Sequence, residues 1–371
     1  MMRRLLDWLE ARFNLTEMFS LLTSFGLFPA EVDSRRPVRE ALDEALRAPL
    51  PSYARWPRIL GVLSFILFGF VALTGLLLMF YYQPTASDAF ASVTMIVRDV
   101  NFGWFVHQTH RWGAQVLLVI LILRLLRFFF QGLYAPPREA IWVVAVLALL
   151  VAAHADLTGR LLPWDARGYW TTVRAMELVS LLPGLGPLCA ALAGGTDLDS
   201  LVLTRFYVLH TTILPVLLFV LFYLHFSSVR RVGLSALPEP GRSGRAALKV
   251  QVYNLLILTV VIFGGLITLA SLLPEPFGVP ADPFATPPGA RPPWYLWAAH
   301  GLVESFPALV PRPLRGLFLE AILAATILLP FLDRASGRSA RGRQMVTAAG
   351  AAALLIGLIL AVVGYRLEGG P

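Results

Sequence analysis

Two stretches of this 371-residue chain carry histidines inside runs apolar enough to cross a bilayer. Leu201–Gly233 contains His210 and His225; Phe105–Phe130 contains His110 and, in its second half, Arg124. At about 1.5 Å of rise per residue, His210 and His225 lie ~22 Å apart on one helix. One therefore sits toward each edge of a hydrocarbon core ~30 Å thick. Fifteen steps of ~100° return to within ~60° of the starting direction, so both can face one bundle interior. Imidazoles are costly inside lipid and mark function there. Two helices that offer histidines at matched depth, as His110 and His210 do, are the arrangement that clamps a haem iron between two imidazoles.

The elements that must position them are long helices with bare patches. The first apolar run has Gly61 and Gly75, and the third ends in Thr158-Gly159. A flat macrocycle between helices needs patches without side chains, and glycine supplies them. Small residues in membrane helices also serve plain helix packing, so the glycines gain meaning only beside the histidines.

Composition agrees with a membrane protein. The chain is 57% hydrophobic and 15% charged, with mean hydropathy +0.68. One cysteine, Cys189, excludes a disulfide or a cysteine-held cluster within the chain. The net charge of +8 comes almost entirely from arginine; Lys249 is the sole lysine. In so apolar a chain that excess sets topology and contacts anionic lipids, not nucleic acid. The start, MMRRLLDWLEARFNLTEMF, is broken by acids and lacks a cleavage site, so it does not read as a signal peptide.

The expected fold is all-α, an integral membrane bundle of seven spans. The apolar runs fall at about 58–82, 103–131, 139–159, 203–229, 251–273, 314–333 and 346–365, each near the ~20 residues a spanning helix needs. Residues 1–57 form an N-terminal segment with an interfacial helix over Leu5–Leu22. Residues 58–240 form a four-helix unit and 241–371 a three-helix unit, divided near the GRSGR stretch at 241–245. Arginines crowd the segment before the first span, the connection at 230–249 and the connection at 334–343. Those segments share the cytoplasmic side, with the N-terminus. His110 and His210 then lie toward the outer side, Arg124 and His225 toward the inner.

Several stretches resemble cytochrome b of quinol-oxidising cytochrome bc complexes, in the form where the chloroplast-type short cytochrome b is joined to its subunit IV. They are FYYQPTASDAFASV (80–93), NFGWFVHQTHRW (101–112), TGRLLPWDARGYW (158–170), LTRFYVLHTTILP (203–215) and ADPFATPPGARPPWY (281–295). The likeness covers roughly 58–335; the last span matches by hydropathy and position more than by letters.

The resemblance implies haem b as cofactor and quinol as substrate. His110 and His210 match the ligands of the outer-side haem, Gly75 and Gly159 its packing glycines, and Arg111 and Arg127 basic positions near haem propionates. His225 and Gly61 match the inner-side haem. Trp164, Asp165, Pro292, Trp294 and Tyr295 match the walls of the outer quinol pocket. Implied partners are a Rieske-type iron–sulfur protein and cytochrome c subunits, in a homodimer within a bacterial inner membrane.

Two departures matter. Where the family has a second histidine fourteen residues past His110, this chain has Arg124, and a guanidinium stays protonated and has no lone pair for a metal. The matching glycine of the third span is Ala145, and the cysteine that tethers an extra inner haem would fall near Ile59. These changes favour an absent or altered inner haem. The second departure is Pro293, standing where the family's Pro-Glu-Trp-Tyr has glutamate. That glutamate is thought to take a proton from quinol, and proline cannot. His300 is the nearest substitute and Glu304 the next. His107, His154 and Asp156, near the outer ends of the second and third spans, read as interfacial or internal polar contacts, with a proton route as the sharper reading.

The reading is a modified cytochrome b that passes electrons between the quinone pool and periplasmic partners through one outer haem. Its rival is a degenerate scaffold that anchors other redox subunits without turnover.

Overall fold

The computed structural model describes residues 40, 49–51, 59–195, 198–232, 245–276, 278–307, 309–333 and 340–367. The interfacial helix expected at Leu5–Leu22 lies outside the described residues, as does nearly all of the expected boundary at 241–245.

The spans are α1 (Ile59–Met79), α3 (Gly103–Phe130), α4 (Glu139–Leu161), α7 (Ser200–Val208) continued by a π-turn (Leu209–Ile213) into α8 (Leu214–Val232), α9 (Leu248–Leu272), α11 (Arg312–Leu332) and α12 (Ala340–Arg366). Among the described residues, seven helices are thus long and apolar enough to cross a membrane. Shorter helices fill the connections: α2 (Ala89–Arg98), α5 (Ala166–Ser180), α6 (Leu185–Ala193) and α10 (Trp297–Ser305). The strands among the described residues are β1 (Pro49–Pro51) and β2 (Arg245–Ala247), paired antiparallel.

The four-helix unit packs around Leu63 and Leu67 of α1, Leu117, Leu118 and Leu121 of α3, Ala148 and Ala152 of α4, and Leu218, Phe222 and Phe226 of α8. Leu117 lies seven residues from His110 and seven from Arg124, so this core fills the mid-depth between the His110–His210 level, expected to be the outer one, and the Arg124–His225 level, expected to be the inner one. Aromatic edges lock it: Phe65 meets Phe226 at 5.8 Å between ring centroids and 83° between planes. Lipid tails are as apolar as leucine, so close packing holds these helices together rather than escape from water.

The π-turn has a local cause. Pro215 lacks an N–H and its ring crowds the carbonyl four residues back. Widening the turn relieves that clash, and Leu214 N–H donates to the Leu209 carbonyl. The consequence is register. Gly61 and Gly75, His110 and Arg124, and Ala145 and Gly159 are each fourteen residues apart, but His210 and His225 are fifteen. One extra residue in a wide turn absorbs the difference, and all four helices present two levels in phase.

The last three spans join the first four by polar contacts, and glycine seats α10 on α12. A Cβ on Gly301 would come within 2.0 Å of the Leu360 carbonyl oxygen, and one on Gly364 within 2.1 Å of Trp297's. Glycine at both places lets the backbones of α10 and α12 touch. Trp142 Nε1 of α4 donates to the Thr326 carbonyl of α11 at 2.8 Å. On the same side, Tyr134 donates to Asp333 at 2.5 Å, and Arg343 donates to Tyr134 Oη and to the Phe129 carbonyl.

Candidate functional site

His110 on α3 and His210 in the π-turn face each other with ring centroids 6.0 Å apart and planes 78° apart. Two metal–imidazole bonds of roughly 2 Å each, plus the radii of the two rings, come close to that separation. The second nitrogen of each ring is fixed. His110 Nδ1 is 3.0 Å from the Val71 carbonyl oxygen and 3.1 Å from Thr74 Oγ1. His210 Nδ1 is 2.8 Å from the Ala155 carbonyl oxygen. A carbonyl can only accept, so Nδ1 carries the proton and Nε2 keeps its lone pair for a metal.

The glycines sit against these rings. A Cβ on Gly75 would come 2.9 Å from His110 Cε1, and one on Gly159 only 2.5 Å from His210 Cε1. Four helices thus converge on one level: α1 and α4 give bare backbone, α3 and the π-turn give imidazole. Facing imidazoles, tautomers set by backbone carbonyls and side-chain-free walls fit a haem with two axial histidines.

Gly159→Ala is accordingly expected to push His210 aside and lower the haem-to-protein ratio strongly. Gly75→Ala, with its looser contact, should lower it less. Gly69→Ala on the same face-forming helix meets nothing within 4 Å and should leave haem content unchanged.

The inner level repeats this plan with different chemistry. Gly61 faces Arg124, whose guanidinium atoms would lie 3.8 Å from an added Cβ. Arg124 is 3% exposed and His225 4%. His225 stacks on Phe128 at 5.8 Å and 14°, and the Arg124 guanidinium lies over the same ring at 5.5 Å. Among the described residues, buried Arg124 Nη2 and His225 Nδ1 have no hydrogen-bond partner. No imidazole opposes His225 across this level, so the residues present do not fit a haem held by two histidines. Arg127, one turn beyond Arg124, donates from Nε to Gln131 Oε1 at 3.0 Å.

Above the outer level the loops close in. Arg111 pairs with Glu275, and Gln108 exchanges two hydrogen bonds with the Glu275 backbone. Trp164 has a left-handed backbone, φ 52°, and its carbonyl accepts Ala281 N–H at 3.0 Å. A non-glycine residue held there marks a turn fixed by its surroundings. Asp165 is buried, caps α5 by accepting Gly168 N–H at 2.8 Å and pairs through its backbone with Pro280. It fastens the start of α5 to the loop after α9.

Trp294 and Tyr295 lie in a 3₁₀ turn before α10. Trp294 Nε1 donates to Gln115 Oε1 at 2.8 Å, and Tyr295 donates to the Ala153 carbonyl at 3.0 Å. Gln115 donates to Asp156 Oδ1 at 2.5 Å, and Arg160 donates to Asp156 Oδ2 at 2.6 Å. Burial, and then the Asp156 carboxylate, push the Tyr295 phenol well above its ordinary range, so it stays protonated. His300 sits farther along α10, the helix that packs on α12 through Gly301.

Sequence reasoning gave no role to Gln115 or Arg160. A signal for Arg160 existed: Asp156 and Arg160 stand four apart on one helix, the spacing of an intrahelical ion pair.

A helical membrane bundle with two facing imidazoles and a glycine wall on each side defines a haem-holding membrane protein. Residues 47–233 match the family Cytochrome b/b6/petB, and residues 280–369 match Cytochrome b(C-terminal)/b6/petD. The chain belongs to the cytochrome b family, in which haem b binding is a shared property.

Among relatives, the cytochrome bc complex cytochrome b subunit of Chlorobaculum thiosulfatiphilum is 34% identical over 290 residues, covering 74% of this chain and 65% of that protein. Cytochrome b6 of Chlamydomonas reinhardtii is 34% identical over 204 residues, 55% of this chain and 95% of that protein. Cytochrome b6 of Tupiella akineta is 35% identical over the same length. A chain of a hyperthermophilic respiratory Complex III shares the fold, with TM-score 0.72 at 23% identity, over 98% of this chain and 97% of that one.

Proposed function

We propose that this chain is the cytochrome b subunit of a quinol-oxidising bc-type complex that works with one haem b, at the outer level. His110 and His210 hold it through Nε2, and Gly75 and Gly159 leave room for its plane. The single observation that carries the reading is the pair of facing imidazoles, each with Nδ1 committed to a backbone carbonyl. When bound, the haem supplies a one-electron iron couple.

The chain's own residues do the rest. Trp164, Asp165, Trp294 and Tyr295 form the walls of an outer pocket for the quinol headgroup, and Arg111 stands by the haem edge. His300, five residues beyond Tyr295 on α10, is a candidate to take the quinol's proton. Arg124 replaces an imidazole at the inner level, so the route by which an electron would cross to the inner face is interrupted. The complex then moves electrons between quinol and periplasmic partners, a Rieske-type iron–sulfur protein and cytochrome c, in a homodimer within the bacterial inner membrane. The arginine-rich N-terminal segment faces the cytoplasm.

The test is a reduced-minus-oxidised spectrum of the purified complex with haem counted per chain, followed by reduction with quinol. One low-spin b haem per chain, reducible by quinol, is the expected result. Two such haems overturn the single-haem reading. One haem that dithionite reduces and quinol does not leaves a scaffold that anchors other redox subunits.

A further inference from the structure

We propose that Asp156 takes a proton from quinol in the outer pocket. The inference rests on the quinol-oxidising reading above and names the residue that this reading leaves open. Oxidising a quinol releases two electrons and two protons, so a base must stand near the place where the electrons leave. The Pro292–Tyr295 stretch contains none: Pro293 has no titratable group, Trp294 Nε1 only donates, and Tyr295 already donates to a carbonyl and stays protonated.

Asp156 is the carboxylate that the fold joins to Trp294 and Tyr295, whereas Asp165 is committed to capping α5. It lies in the last two turns of α4, 8% exposed. Its two oxygens reach in different directions. Oδ1 accepts from Gln115, which accepts in turn from Trp294. Oδ2 accepts from Arg160 on its own helix. The Tyr295 hydroxyl is beside both Asp156 and Arg160. Asp156 also follows Ala155, whose carbonyl fixes His210. One buried carboxylate therefore touches the network of the pocket wall and neighbours the backbone that orients an axial ligand.

The charged and titratable groups facing it are Arg160 from α4, His110 from α3, His210 from the π-turn and Tyr295 from the 3₁₀ turn. Glu275, after α9, acts on it through Arg160.

Burying a carboxylate inside a membrane bundle is costly unless it is paired. Here Gln115 and Arg160 supply that pairing, one on each oxygen. One quinol O–H bond breaks and one O–H bond to Asp156 forms. Arg160, relieved of its partner, stays near Glu275. The quinol's two electrons would leave one to the haem that His110 and His210 would hold and one to the iron–sulfur partner. The second proton leaves to the outer aqueous side, and Asp156 later releases its own there.

The experiment uses the complete detergent-purified complex and a short-chain ubiquinol or menaquinol, with haem reduction followed by stopped flow. Asp156→Asn keeps the size of the side chain and an acceptor for Gln115. It should load haem normally, give the parent dithionite-reduced spectrum, and slow quinol-driven reduction by ~10²-fold or more. Asp156→Glu should recover part of the rate. The parent rate should carry a pH-dependent limb, and in Asp156→Asn that limb should be flat. A purely structural Asp156 would change haem loading and leave the pH limb in place. An Asp156→Asn rate within twofold of the parent, with the pH limb intact, overturns the proposal while the quinol reading stands. A parent complex that dithionite reduces and quinol does not overturns both.

Discussion

Replacing His110 or His210 by alanine is expected to empty the protein of its haem. The two rings stand 6.0 Å apart and are the pair that faces across one level among the described residues. With either gone, a single imidazole would remain to hold the haem. Removing a mere supporting partner of a metal-bound histidine typically costs 10–100-fold in affinity, and loss of the ligand itself should exceed this. The Soret band of each purified variant, normalised to protein, should therefore fall by more than ~10-fold. The four-helix bundle should lose stability too, because a group that binds only the folded state stabilises it. With the haem gone, Gly75 and Gly159 border a gap that no side chain can fill, and thermal unfolding in detergent should move to lower temperature. Parent-level Soret absorbance in both variants would mean that the ligands lie elsewhere.

That facing pair of imidazoles was legible in the sequence because its rules are local. A histidine in an apolar run is conspicuous, and a fourteen-residue repeat of glycine fixes depth on one helix. The seven spans were legible for the same reason: hydropathy integrates over ~20 residues. The ends moved by a few residues, as at α12, which begins at Ala340 and not near 346. The π-turn was not legible. A fifteen-residue gap between His210 and His225 looked like ordinary helix with a phase error of ~60°. Only the backbone shows that Pro215 forces a wide turn that removes the error.

The network around Asp156 was hidden for a different reason. Gln115 and Trp294 are 179 residues apart in sequence, and nothing in either neighbourhood announces the other. Asp156 read as an isolated cost in the membrane until Gln115 and Arg160 appeared on its two oxygens. Arg111 and Asp165 show the reverse case. Both occupy places the resemblance picks out, and the structure gives each a second task, pairing with Glu275 and capping α5.

Arg124→His should restore haem binding at the inner level, more fully when combined with Ala145→Gly. The level retains half of what it needs. Gly61 still presents bare backbone, with 3.8 Å between an added Cβ and the present guanidinium. His225 is still directed into the bundle, and its Nδ1 has no hydrogen-bond partner. The missing parts are a second imidazole and a second bare patch, and Ala145 closes the latter with a buried methyl group. The parent guanidinium is also unfavourable where it stands, since Nη2 is buried without an acceptor and an unpaired buried charge costs several kcal/mol, by rough estimate. Exchanging it for a neutral imidazole removes that penalty, so the single variant should fold at least as well as the parent. The readout is haem per chain together with the low-spin signature of a second bis-histidine iron. A rise from one haem toward two in the double variant, with a smaller rise in the single, is the expected result. No rise in either would mean that the level has closed by packing around other residues, with Phe128, stacked on His225, the first to test.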